Sequence, residues 1–168
     1  MSILFVGLGE QLGHRVITRL LGQGDEVRVI EEVPDAIARL KEIGAFVARG
    51  VPDDPDLVER AAQNVRTIVV TGAFESLDAA LDGARSAGVD RVVVCHPAPD
   101  KGLLETVRAS GLDYVIISFG RREPRAASEL DALAEAIDAA DDLSGAPRLE
   151  VDLRRPETLL ALGVGTDG

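Results

Sequence analysis

Ile3-Leu4-Phe5-Val6-Gly7-Leu8-Gly9-Glu10-Gln11-Leu12-Gly13 opens the chain, and Glu26-Val27-Arg28-Val29-Ile30-Glu31 follows after one helix-length segment. A short apolar run, a glycine-rich turn, apolar residues at helical spacing (Leu12, Val16, Leu20) and a second apolar run ending in acid form a strand–helix–strand unit. Glycine lets such a turn bend tightly and brings the backbone close to a pyrophosphate, while the helix end behind it favours negative charge. The pattern is therefore that of the first unit of a dinucleotide-binding sheet. Glu10 complicates it. A carboxylate about 5 Å from a phosphate charge costs on the order of 3 kcal/mol at an effective dielectric near 20. Turned to solvent, the same charge is largely screened.

Working outward, strand-like and helix-like segments alternate to the end of the chain. The spacing predicts strands at Ile3–Val6, Glu26–Ile30, Phe46–Arg49, Thr67–Val70, Arg91–Cys95, Tyr114–Ser118 and Leu149–Leu153. The inner ones are continuous apolar runs, as expected of parallel strands covered on both faces. Arg148–Leu153 alternates and is predicted to be an edge strand. Asp54-Pro55 and Pro34 are helix-start signals, and Gly88, Gly111 and Gly145 fall just past helical runs. The expected fold is a single doubly wound α/β domain, Rossmann-like, with a parallel sheet of six or seven strands and helices on both faces. Residues 1–162 form that domain, and 163–168 are expected to be a flexible tail.

Composition narrows the function classes. The chain has 168 residues, 46% of them hydrophobic and 28% charged, which suits one globular domain rather than a disordered segment. A net charge of −11 argues against nucleic acid or an anionic membrane as partner. No apolar run is long enough to span a bilayer, and no basic segment precedes the first one, so neither a membrane span nor a signal peptide is expected. With one cysteine and two histidines, neither an internal disulfide nor a metal cluster is expected, and the cytoplasm is the expected location. A homo-oligomer remains open.

Ligands in such sheets bind outside the carboxyl ends of the strands. The candidate cofactor-binding residues there are Gly7, Gly9, Gln11, Leu12, Gly13, Glu31, Glu32, Thr71 and Gly72. Glu31 or Glu32 would accept hydrogen bonds from an adenosine ribose and repel a 2′-phosphate, favouring NAD(H) over NADP. Both also suit the start of a helix, where negative charge is favourable. Cys95 and His96 adjoin at a strand end, but neighbours on a strand point to opposite faces, so a nucleophilic pair is not expected. Lys101 reads as a surface residue in the first turn of a helix. Arg121 and Arg122 read either as an anion site at the cleft mouth or as a solvated loop.

Leu12-Gly13 with Leu20–Val27, Ala87–Val93, Ala109-Ser110-Gly111-Leu112-Asp113-Tyr114 and Leu133–Leu153 resemble, in this order, atypical short-chain dehydrogenases/reductases of the NmrA-like, NAD(P)-binding kind. Residues 3 to about 71 are also similar to the NAD-binding regulatory domains of potassium transporters. The first resemblance implies a dinucleotide cofactor and a reductase frame. Several family positions are changed. The turn glycine falls on Glu10, the adenine-side aspartate on Val51, and the arginine of NADP-preferring members on Glu32. The serines after strand five fall on Cys95 and His96. Arg-Pro-Gly after strand six becomes Ser118-Phe119-Gly120. Tyr114 is the only tyrosine and Ser118 stands four residues on, so the Tyr-x-x-x-Lys pair is missing. Few residues remain for the C-terminal substrate-binding portion of larger relatives. The sequence thus predicts a reductase-like domain with a degraded site, binding NAD(H) or another adenine nucleotide weakly or not at all and acting as a sensor or interaction protein. The alternative is an active NAD(P)H-dependent reductase or epimerase.

Overall fold

The computed structural model describes residues 2–8, 10–71, 76–97, 100–120, 122 and 124–164, with the backbone alone for 10–12. Seven strands form one sheet in the order β3-β2-β1-β4-β5-β6-β7. They are β1 (Ser2–Val6), β2 (Glu26–Glu31), β3 (Phe46–Arg49), β4 (Thr67–Thr71), β5 (Arg91–His96), β6 (Asp113–Ser118) and β7 (Arg148–Asp152). Every pairing is parallel. The helices between them are α1 (Glu10–Gly22), α2 (Pro34–Glu42), α3 (Pro55–Ala61), α4 (Leu77–Ala87), α5 (Lys101–Ala109) and α6 (Ala127–Asp142); the short α7 (Pro156–Leu159) follows β7.

Two cores, one on each sheet face, follow from strand alternation. Ile3, Phe5, Val29, Val69, Val93 and Val115 pack with α1 and α6. Leu4, Val6, Ile68, Val70, Val92 and Ile116 pack with α3, α4 and α5. Residues buried on both faces explain the unbroken apolar runs of β1, β4 and β5. The edge strand β7 alternates as predicted, Val151 being buried while Arg148 and Glu150 are exposed. Its bounds lie one residue earlier than the sequence suggests, and α7 beyond it has no clear signal apart from Pro156.

Local chemistry sets the element ends. Asp54 caps α3 by accepting the N–H groups of Asp56 and Leu57, with Pro55 in the first turn. Gly88 closes α4 in the left-handed conformation (φ 71°). At the amino edge of the sheet the buried Arg91 guanidinium donates to the carbonyls of Ala140, Asp141 and Leu143, capping the end of α6. Beside it Arg66 pairs with Asp141 and Asp142, and Thr67 donates to the buried Asp141 carboxylate. These bonds fasten the last long helix to the middle of the sheet. At the end of the chain, Gly163 donates to Leu160 and Val164 packs against the α1–α6 core. The expected tail boundary thus has ordered contacts at 163 and 164, while residues 165–168 lie outside the described ones.

Candidate functional site

The β1–α1 turn stands at the centre of the carboxyl edge, between β2 and β4. Gly7 has φ +73°, and a Cβ on it would lie 3.1 Å from the Thr71 carbonyl oxygen. Glycine is required there on both counts. Thr71, 1% exposed, donates its hydroxyl to the Gly7 carbonyl at 3.4 Å, so its side chain braces the turn from β4. Gly13 lets α1 approach Leu8: a Cβ would come within 2.5 Å of the leucine's Cδ2. That is the helix-packing role of the third glycine of a dinucleotide-binding turn. Helix α1 begins at Glu10, which places the backbone of Gln11 and Leu12 in its first turn. Gly9 and Gly72 lie outside the described residues, as do the side chains of Glu10, Gln11 and Leu12.

On the β2 side of the turn, Glu31 ends β2 and accepts the N–H groups of Glu32 and Val33 on Oε1, each at 2.9 Å. Its carboxylate therefore orders the entrance to α2, while the Glu32 side chain is exposed. Val33 and Val51, past the ends of the neighbouring strands β2 and β3, are 47% and 45% exposed. Gly50, with φ 153°, bends the chain out of β3, where a Cβ would strike Leu57. This end of the edge thus presents the glycine turn, the Glu31 carboxylate and two exposed apolar side chains, Val33 and Val51.

The other end of the edge holds two cavities. One, of about 500 Å³, lies on the α6 side between the segment after β6, the first turns of α6 and the end of β7. Phe119, Leu153, Ala132 and Pro124 give it apolar walls, with Arg122, Ser128, Glu129 and Arg154 on its polar side. Glu129 accepts the N–H groups of Arg125 and Ala126, which hold its carboxyl below the usual carboxylate range. The second, about 330 Å³, opens on the α5 side and includes His96, Ser118, Asp152 and Thr158. His96, Ser118 and Asp152 are abreast in the sheet register.

The sequence places Cys95 and His96 on opposite faces, and the structure does so: Cys95 joins the α1–α6 core while His96 lines the α5-side cavity. His96 is fully buried as the last residue of β5, paired in the sheet with Ser118 of β6. Burial pushes the Cys95 thiol up, which removes it as a nucleophile. Tyr114 is buried at the amino end of β6, far along the strand from the carboxyl edge. Lys101 is exposed in the first turn of α5, as expected. Arg122 is exposed and lines the larger cavity, whereas Arg121 lies outside the described residues. Sequence reasoning named Phe119 only as part of the segment after strand six, Ser118-Phe119-Gly120, and missed Leu153. Their signal was position alone: apolar residues one step past the ends of β6 and β7, where this fold places ligands. Among the described residues no group of three or more His, Cys, Asp or Glu could hold a metal ion, and no helix is long and apolar enough to cross a membrane.

No protein-family model matches the chain, and no curated protein matches it in sequence. Solved structures match it in shape. The NADPH-dependent quinone oxidoreductase of Escherichia coli superposes with a TM-score of 0.66 at 16% identity, over 87% of this chain and 65% of that one. The chain has a Rossmann fold. An anaerobillin reductase from Escherichia coli O157:H7 gives a TM-score of 0.66 at 17% identity, over 90% of this chain and 95% of that one. UDP-glucose 4-epimerase from Bifidobacterium longum, solved with NAD+ and UDP, gives 0.70 at 12% identity, over 90% and 77% of the two chains. Reductases and epimerases are thus among the structures it superposes on, and the quinone oxidoreductase was also solved with NADPH. The chain spans just under two thirds of the quinone oxidoreductase and nearly all of the anaerobillin reductase.

Proposed function

We propose that this chain is an NAD(P)H-dependent reductase of a small molecule, with the dinucleotide laid along the carboxyl edge of the sheet. The observation that carries the proposal is the pair of receptive features at opposite ends of that edge. Exposed Val33 and Val51 suit an adenine at one end, and a cavity of about 500 Å³ suits a small-molecule substrate at the other. The glycine turn lies between them. A degraded, sensor-like domain would have no need of the second feature. The likeness to reductases and epimerases supports the active alternative in the same way.

In this reading Gly7, Gly9 and Gly72 allow the backbone close to the pyrophosphate, and the amides of Gln11 and Leu12 donate to it from the start of α1. Gly13 and Thr71 position the turn, the one against Leu8 and the other through the Gly7 carbonyl. Glu31 keeps one oxygen on the α2 amides and offers the other to the ribose, while Glu32 adds to the charge that disfavours a 2′-phosphate. NAD(H) is therefore the favoured form. A nicotinamide, when bound, supplies the reducing equivalent. The protein's share is to bind, to orient the substrate in the α6-side cavity and to exclude water, with no Tyr-x-x-x-Lys pair required for those tasks.

Calorimetric titration with NADH and NADPH tests the cofactor half. NADH is expected to bind below about 100 μM and NADPH about tenfold more weakly, since each tenfold is about 1.4 kcal/mol of charge repulsion. The double variant Val33→Ser/Val51→Ser is expected to weaken NADH about fivefold with an unchanged melting temperature. Oxidation of NADH by simple quinones tests the reaction. Binding without turnover of any carbonyl or quinone would favour a sensor; no heat with either nucleotide would mean a lost site.

A further inference from the structure

The α6-side cavity is not neutral towards what it holds, because its charges are unevenly committed. Arg154 is already committed to Asp152 of the neighbouring cavity, its Nε and Nη2 donating to the two carboxylate oxygens at 3.1 and 2.8 Å. Glu129 is engaged by the backbone amides of Arg125 and Ala126, at 3.0 and 3.2 Å. Arg122 differs. Among the described residues it has no carboxylate within ion-pair distance and acts on Glu129 only from further off. Arg122 is exposed and lines the cavity, as does the exposed Ser128. A cation entering here would have to displace donors that Glu129, the carboxylate of the lining, already has. An anion would meet a guanidinium and a hydroxyl, which form short, charge-assisted bonds to a carboxylate.

We infer that the cavity takes a flat, mainly apolar compound bearing a carboxylate, the ring system against Phe119 and Leu153 and the carboxylate on Arg122. Gly120 sets the depth of the slot. It has φ +108°, and a Cβ there would come within 3.0 Å of Arg154 Cδ, so any side chain would both strain the backbone and move the wall. That such a compound also carries a reducible carbonyl or quinone rests on the function proposed above; the preference for an anion does not.

The test is a fluorescence titration of the whole protein with 2-naphthoate and with its neutral counterpart 2-naphthamide, in the absence of any nucleotide. The naphthoate should bind at least fivefold tighter. Arg122→Gln, on an exposed side chain, should cost the naphthoate about tenfold and leave the naphthamide unchanged; Ser128→Ala should cost it less. Leu153→Asp should weaken both, by placing a carboxylate in the apolar wall. Equal affinities in the wild type, failure of both to bind, or naphthoate binding indifferent to Arg122→Gln would each overturn the inference. Nucleotide titrations run separately. A naphthoate preference without NADH binding would sink the reductase and keep the anion slot, and the reverse result would do the opposite.

Discussion

Cys95 and His96 show how much a single strand position decides. Adjacent in sequence, they belong to different faces of the sheet, and neither can activate the other. Burial raises the Cys95 thiol, so it should resist iodoacetamide in the folded protein and react only on unfolding; alkylation followed by mass spectrometry in and out of denaturant checks this. Gly7 is decided by geometry of another kind. Gly7→Ala must hold φ +73° against a carbonyl 3.1 Å away, and should cost about 1–2 kcal/mol, readable from urea denaturation. Glu10, first residue of α1, is the carboxylate nearest in sequence to the proposed phosphate site. Glu10→Gly is expected to tighten NADH up to about tenfold by calorimetry. The glycines were legible because only they fit such turns. What Glu31 does was half legible: its acid type fitted both a ribose and a helix start, and the bonds to Glu32 and Val33 assign one of its oxygens to the second.

Among the elements, the strands were the readable part. Runs of Val and Ile of strand length, separated by helical spacing, leave few alternatives to a parallel sheet, and alternation in Arg148–Leu153 marked the edge. Contacts between helices left weaker traces. Gly83, in the middle of α4, carries no turn signal, yet it is where α3 crosses: a Cβ there would fall 2.4 Å from Val58 Cγ1 and 3.0 Å from the Glu59 amide nitrogen. A β-branched side chain and the α3 backbone itself leave little room to yield. Gly83→Ala should therefore destabilise by about 1–3 kcal/mol, despite alanine's better helix propensity, and thermal denaturation would register it. The larger cavity was invisible for a related reason. It is assembled from ends of three elements distant in sequence, and no periodicity records where such ends converge.

Across the whole molecule, α6 is tied to the amino edge by charge. Asp141, 1% exposed, meets Arg66 and Thr67, and removing its carboxylate takes the acceptor from the Thr67 hydroxyl and one of the two carboxylates from Arg66, which keeps Asp142. Asp141→Ala should cost about 3 kcal/mol by chemical denaturation. Asp138, one turn back on α6, sits among like charges. Partial burial, then the charges of Asp25 and Asp142, raise its carboxyl from 3.8 to about 6. Its folded-state value lies above the unfolded one, so the native state binds the extra proton between these limits. Stability should thus rise as pH falls from about 6 towards 4, by about 1–2 kcal/mol, before other carboxylates reverse the trend. Asp138→Asn should flatten that segment of the pH–melting curve.

The first strand lies in the middle of the sheet, and that has a kinetic consequence. β1 pairs with β2 on one side and with β4 on the other, joining Ile3 to Thr67 and Val6 to Val70. The Gly7 carbonyl receives its bond from Thr71. A nascent chain must therefore hold its opening strand unfinished until β4 has been made. Long-range closures of this kind slow folding, to milliseconds or longer for a chain of this architecture. Fragments ending before β4 should have no formed nucleotide turn at all, however intact their glycines.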